Sequence, residues 1–132
     1  MIDRSSGPQS PRPRKRVAGS FRLKYAAVEN LGKFLGESAI SLMRFIEANE
    51  RTAQRRKEQG VLSPEESDRI ARIARVTQRA IEAYGNRAQA REWLIRPNRV
   101  LQGFPPLGLL ATDAGAARVT DELGRIEYGD LY

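Results

Sequence analysis

Residues 63–85 read SPEESDRIARIARVTQRAIEAYG, and the fold is decided in this stretch. Ser63 offers a hydroxyl for a helix N-cap, and Pro64 suits the first helical position, where its missing N–H is not needed. Glu66 stands three residues after the serine, where its carboxylate can reach back to the cap. Behind this start Ile70, Ile73, Ala74, Thr77, Ile81 and Tyr84 recur at helical spacing on one face, and Gly85-Asn86 supplies the stop. About twenty residues of helix span roughly 30 Å, enough to join a unit before it to a unit after it.

Upstream, Ala27, Leu31, Phe34 and Leu35 fall at i, i+4, i+7 and i+8, with Gly36 as the terminator. Ile40, Met43 and the Phe45-Ile46 pair give a second apolar stripe that ends near Glu47-Ala48-Asn49. Asn49 suits the N-cap of a third short helix, Glu50 to Gln59, closed by Gly60. Only Ala53 in that third helix looks inward. Downstream, Asn86 caps a helix through Ala90, Trp93 and Leu94, which must end around Arg96 because Pro97 follows. Pro97-Asn98 and Phe104-Pro105-Pro106 are breaks, and Leu107 to Leu110 gives one short apolar turn. Thr112 or Asp113 caps a last helix with Ala116, Val119, Leu123 and Ile126 inward, ended by Gly129. No Val/Ile/Thr alternation of strand type occurs. The sequence therefore predicts an all-α fold in three parts. These are a disordered basic tail over 1–24, a helix-turn-helix-like unit over 25–62, and a linking helix with a small helical unit over 63–132.

Composition narrows the chemistry. With 40% of its 132 residues hydrophobic and 30% charged, the chain suits a soluble helical protein. No apolar run approaches the ~20 residues of a membrane span, and no apolar stretch follows the basic start, so neither membrane insertion nor a secretory leader is expected. The expected setting is the cytoplasm. Cysteine and histidine are both absent. Their absence removes thiolate nucleophiles, disulfides, the commonest neutral-pH base and the commonest metal ligands. No glycine-rich phosphate loop occurs either. The expectation is a protein that is not an enzyme, with no cofactor, no metal site and no catalytic residue.

The net charge of +7 is uneven: residues 1–24 carry seven basic side chains against one acid, and residues 61–132 carry ten of each. A basic segment of this kind favours polyanions through phosphate neutralisation. Pro11-Arg12-Pro13-Arg14-Lys15-Arg16 is open to two readings, a minor-groove arm or a solubilising tail. The helix Glu50–Gln59 is likewise open. A short helix, a turn and a second helix carrying Arg51, Thr52, Gln54, Arg55, Arg56 and Lys57 is a helix-turn-helix layout, with Thr52, Gln54 and Arg55 for base edges and Arg51, Arg56 and Lys57 for phosphates. The same residues also fit a solvated charged helix. Glu65, Glu66 and Asp68 are read as capping and helix-dipole groups. Trp93 is read as a core anchor, and Glu122 and Glu127 as solvated positions.

The stretch from Leu62 to Tyr132 resembles the toxin-binding region of Xre/MbcA/ParS-type antitoxins. The resemblance is carried by Leu62-Ser63-Pro64-Glu65-Glu66-Ser67-Asp68-Arg69, Ala90-Arg91-Glu92-Trp93-Leu94, Pro97-Asn98, Leu101, Gly103, Pro106-Leu107, Leu110, Gly115, Val119, Leu123 and Gly124-Arg125-Ile126-Glu127-Tyr128-Gly129. Glu50-Arg51-Thr52 with Arg55-Arg56 and Gly60 is similar, more loosely, to the Xre helix-turn-helix. Two positions depart from the pattern: Glu47 replaces the usual turn glycine, and Asp130 stands where an apolar residue is usual. The resemblance implies a type II toxin–antitoxin partner, usually a RES-domain toxin that consumes or transfers from NAD, with the antitoxin covering its active-site cleft. It also implies a homodimer and repression at an operator. The toxin-facing surface it implies comprises Arg96 and Asn98 together with Glu127, Tyr128, Gly129, Asp130, Leu131 and Tyr132. A protruding end with an apolar side chain, an aromatic and negative charge suits a cleft that binds an anionic dinucleotide. A transcriptional regulator without a toxin partner is the competing class.

Overall fold

A computed structural model describes residues 21–46 and 48–129. Glu47, the basic segment 1–20 and Asp130-Leu131-Tyr132 lie outside the described residues. The described part holds six α-helices: α1 Tyr25–Leu35, α2 Ala39–Phe45, α3 Glu50–Gln59, α4 Pro64–Tyr84, α5 Arg87–Ile95 and α6 Asp113–Gly129, with one 3-10 turn over Pro106–Leu109 before the last. The architecture is all-α, a helix-turn-helix unit joined by the long α4 to a small helical unit. The one extended pairing among the described residues is a single antiparallel bridge, Lys24 to Val61.

Helix boundaries follow the local chemistry. Asn49 and Asn86 accept from the N–H groups of Thr52 and Gln89 at 2.8 and 2.9 Å. Gly36, Gly60 and Gly85 close α1, α3 and α4 at φ 77, 85 and 66°, the left-handed region that glycine enters without a Cβ clash. Ser63 and Glu66 form the full capping box: the Glu66 N–H donates to Ser63 Oγ at 3.1 Å, and the Ser63 N–H donates to Glu66 Oε1 at 2.8 Å. Thr112, not Asp113, caps α6, accepting from the Gly115 N–H at 3.0 Å.

α4 is the spine, packed against both α5 and α6. Arg72 reaches Asp113 at 2.8 Å near the start of α6, and Arg79 reaches Glu127 at 2.6 Å near its end, so the two helices run in the same sense. Because α4 is covered on two sides, its buried stripe is Ile70, Ile73, Val76, Thr77 and Ala80. Ala74, expected inward, is exposed, and Ile81 and Tyr84 are half-buried. In α1 the buried set is Tyr25, Val28, Gly32 and Leu35. Ala27, Leu31 and Phe34 lie at its edge, because α2 covers a stripe rotated from the one the large side chains suggest. Gly32 is required by contact: its carbonyl accepts from the N–H groups of Gly36 and Glu37, and a Cβ there would sit 2.3 Å from the Glu37 carbonyl oxygen.

Two glycines of α6 give opposite expectations. A Cβ on Gly115 would lie 1.9 Å from the Leu109 carbonyl oxygen, whereas one on Gly124 would meet nothing within 4 Å. Gly115→Ala should destabilise by about 1–3 kcal/mol through overpacking. Gly124→Ala should stabilise by up to about 1 kcal/mol by restricting the unfolded chain. Chemical denaturation of the two variants beside the parent checks both signs.

Candidate functional site

α2 and α3 set the first candidate surface. Ala53 is fully buried and seats α3, as expected. Arg51, Gln54 and Arg55 are exposed and, with Glu58, share one helical face, while Lys57 is exposed at its flank. Thr52 is half-buried, and its N–H is occupied by the Asn49 cap. Arg56 differs from its neighbours. Its Nε donates to Glu66 Oε1 at 2.7 Å, with only 16% of the Arg56 side chain and 10% of the Glu66 side chain exposed. It braces α3 on α4 and offers little to a ligand. The expected phosphate contacts Arg51 and Lys57 stand free on the surface; Arg56 does not stand with them.

Burial alone would raise the pKa of Glu66, but the hydrogen bond and charge of Arg56 and the Ser63 N–H outweigh it and hold the carboxyl below its ordinary value. A depressed folded-state pKa contributes stability that is complete above the unfolded pKa of about 4.3 and is lost as pH falls through the folded value. Glu66→Gln should therefore cost about 1–3 kcal/mol near neutrality by leaving Arg56 without its charge partner. The gap from the parent should begin to narrow as pH falls below about 4.3 and close as it passes the lower folded-state value, read by urea unfolding at several pH values.

The second surface lies on α5, the loop after it, and α6. Tyr84 and Trp93 meet at 6.2 Å between ring centroids, tilted by 47°. They form one wall of an open groove of about 700 Å³ that also takes in Gln89, Glu92, Arg96, Asn98, Arg99 and Val100. Trp93 packs on the core as expected and also lines this groove. Arg96 is exposed and paired with Glu92 one turn back. Asn98 is half-buried and builds the loop. Its Oδ1 accepts from Val100 N–H at 2.9 Å, its carbonyl accepts from Gly103 N–H at 2.8 Å, and its own N–H donates to Phe104 O at 3.2 Å. Gln102 at φ 61° and Gly103 at φ 88° complete the turn in the left-handed region. Leu101 points into the core, while Val100 and Phe104 are 54% and 52% exposed.

Val100 also borders a smaller hollow of about 270 Å³ with Arg118, Asp121 and Arg125 of α6. Asp121, Arg125 and Tyr128 fall at i, i+4 and i+7, and Tyr128 is 61% exposed. Glu122 and Glu127 are not the solvated positions their spacing suggests. Glu122 is buried and accepts from Arg125, and Glu127 is half-buried against Arg79. Gly129 is exposed at the end of α6. The structure thus places Arg96 and Asn98 beside one groove and Glu127, Tyr128 and Gly129 at the end of α6. Val100 and Phe104 are surface residues that periodicity did not single out; their position among loop-forming Asn, Gly and Pro residues was the available clue. No helix among the described residues is long and apolar enough to cross a membrane.

The geometry defines a two-unit helical protein: a helix-turn-helix with a polar outward face, then a helical unit with a groove rimmed by exposed apolar side chains. Residues 15–75 match the antitoxin Xre-like helix-turn-helix domain, and residues 79–129 match the antitoxin Xre/MbcA/ParS C-terminal toxin-binding domain. The chain thus carries, in order, matches to both domains described for Xre-type antitoxins. A Yersinia enterocolitica protein named Antitoxin Xre is 40% identical over 77 residues, 58% of this chain and 52% of that protein. A Photorhabdus laumondii protein of the same name is 39% identical over 71 residues, 53% of this chain and 48% of that protein. Another from Pseudomonas putida is 34% identical over 68 residues, 52% of this chain and 43% of that protein. The chain spans about half the length of the curated relatives it matches.

Proposed function

We propose that this protein is a non-enzymatic, cytoplasmic antitoxin that binds a cognate toxin through its C-terminal unit. The observation that carries the reading is the order of the two matched domains, helix-turn-helix and then toxin-binding, on one chain. The groove beside Trp93 and Arg96, the exposed Val100 and Phe104, and the end of α6 supply an apolar centre with charged edges, the composition of a protein-binding patch. The toxin is of the RES type, consuming NAD or transferring from it, and the antitoxin silences it by covering the cleft. Asp130 meets cleft arginines that hold dinucleotide phosphates, and Leu131 and Tyr132 fill apolar space beside them. The antitoxin acts as a homodimer with two-fold symmetry.

The experiment pairs the purified chain with a RES-domain toxin and follows NAD consumption, with complex mass from light scattering. The full chain should silence the toxin in a complex containing two antitoxin copies. A chain lacking residues 129–132 should keep its helicity and its dimer but need a higher ratio for inhibition. Equal inhibition at equal stoichiometry would show that residues 129–132 do not cover the cleft. Absence of any complex, and of growth rescue on co-expression, would favour a regulator without a toxin partner.

The helix-turn-helix unit autorepresses the operon by placing α3 in the major groove of operator DNA, where Thr52, Gln54 and Arg55 read bases and Arg51 and Lys57 hold phosphates. Arg56 stays with Glu66. Replacing Gln54 and Arg55 by alanine should narrow the affinity ratio between operator and random duplex by about tenfold or more per lost base contact. An unchanged ratio removes base reading by α3.

A further inference from the structure

Val100 lies in the loop that follows α5, and its position is fixed by its neighbours. Asn98 Oδ1 accepts from the Val100 N–H at 2.9 Å, and the Asn98 carbonyl accepts from the N–H groups of Leu101 and Gly103 at 3.1 and 2.8 Å. Leu101 is buried and ties the loop to the core, whereas Val100 is exposed. Val100 is also the residue that two hollows share. On one side it borders the groove of α5 with Arg96 and Arg99, and on the other the smaller hollow of α6 with Arg118, Asp121 and Arg125. Four of the ten basic residues between 61 and 132 therefore gather around one exposed apolar side chain. All ten are arginine, the cation in which protein interfaces are enriched, and none is lysine, which they disfavour. The side chains of Arg96 and Arg125 are each 70% exposed and pair only within a turn of their own position, with Glu92 and Glu122. The side chains of Arg99 and Arg118 are exposed and bond to no other described residue.

We propose that Val100, rimmed by Arg96, Arg99, Arg118 and Arg125, docks into an apolar hollow edged by carboxylates on the toxin. The proposal rests on the reading of the C-terminal unit as toxin-binding and adds the chemistry of the surface that unit meets. The rim is net positive: against its four guanidiniums stand Glu92 and Asp121 at the surface and the buried Glu122. The Arg96–Glu92 pair is open to water, where such a pair contributes little and is readily exchanged for another carboxylate. Arg99 and Arg118 have no pair to give up. Each can take a carboxylate by two parallel N–H bonds, a geometry that also fixes the register of the contact. The apolar centre selects the occupant. An isopropyl group among guanidiniums suits a protein surface, whereas a phosphate backbone offers Val100 nothing apolar to cover it. Because the loop is already held by Asn98 and Leu101, it loses little freedom on docking.

The test follows association and dissociation of the full chain with the RES-domain toxin used above, by surface plasmon resonance at several salt concentrations. The variant Arg99→Glu, Arg118→Glu should slow association by about tenfold or more at low salt, with the gap narrowing as salt rises. Val100→Ala should leave association unchanged and speed dissociation by about fivefold or more. The three side chains lie outside the core and outside the hydrogen bonds of the loop, so the helicity of both variants should match the parent. Unchanged association of the glutamate variant overturns the charged rim, and unchanged dissociation of Val100→Ala overturns the apolar centre. Either result, with the parent chain still bound to the toxin, leaves the antitoxin reading standing. A parent chain that forms no complex overturns that reading and this surface together. Faster association of the glutamate variant overturns the acidic character of the partner. Weaker binding of that variant to duplex DNA, with its toxin binding unchanged, makes DNA the occupant and overturns the proposal.

Discussion

The Glu66 carboxylate accepts hydrogen bonds from both the Ser63 N–H and the Arg56 guanidinium, and this shared acceptor holds the first half of the molecule together. One residue on, Ser67 Oγ accepts from Leu23, so the first turn of α4 grips α3 on one side and the entering chain on the other. α3 has only Ala53 as a fully buried apolar side chain, too little burial to seat a ten-residue helix by itself. Polar contacts with good geometry therefore position the helix that faces outward. That explains why a single arginine of its basic set, Arg56, is withdrawn from the surface.

The second half is organised from the other end of the same helix. α5 lies between the two units and shows each a different face. Arg87 places its guanidinium 4.8 Å from the centre of the Phe34 ring of α1, and Arg91 reaches the space beside Gly36. Glu92, Trp93 and Arg96 turn instead to the open groove. A helix held by α1 and α4 offers a firm wall, and a wall fixed before binding loses less entropy when a partner docks.

Much of the fold was legible because its punctuation is chemical. Ser63-Pro64 with Glu66, the asparagine caps, and the glycines at 36, 60 and 85 each act within a turn of their own position, so the sequence alone places them. Which face is buried was less legible. The stripe chosen on α1 was Ala27, Leu31, Phe34 and Leu35, yet of these only Leu35 is buried, beside Tyr25, Val28 and Gly32. Burial is set by the direction from which α2 and the Gly60–Leu62 segment arrive, and periodicity contains no information about that direction. Arg79–Glu127 and Arg56–Glu66 were invisible for the same reason, since each joins side chains on different helices.

The site was partly legible, and its residues divide by role. Leu101, Pro106, Leu110, Val119 and Leu123, which carry the family resemblance, are buried; Gly115 is needed for a close backbone approach, and Asn98 hydrogen-bonds its own loop. These residues build the surface from beneath, while Glu92, Arg125 and Tyr128 of the same pattern are exposed on it. Arg96, Arg99, Val100 and Phe104 sit between them in sequence and outside them in space. A family pattern therefore identifies the scaffold more readily than the contact surface: buried and loop-closing positions tolerate few residue types, whereas an exposed position on a well-braced loop is constrained only by what it touches. On that logic surface side chains are freest to vary in the gaps of the motif. The braced 97–104 loop is where the structure makes those gaps project.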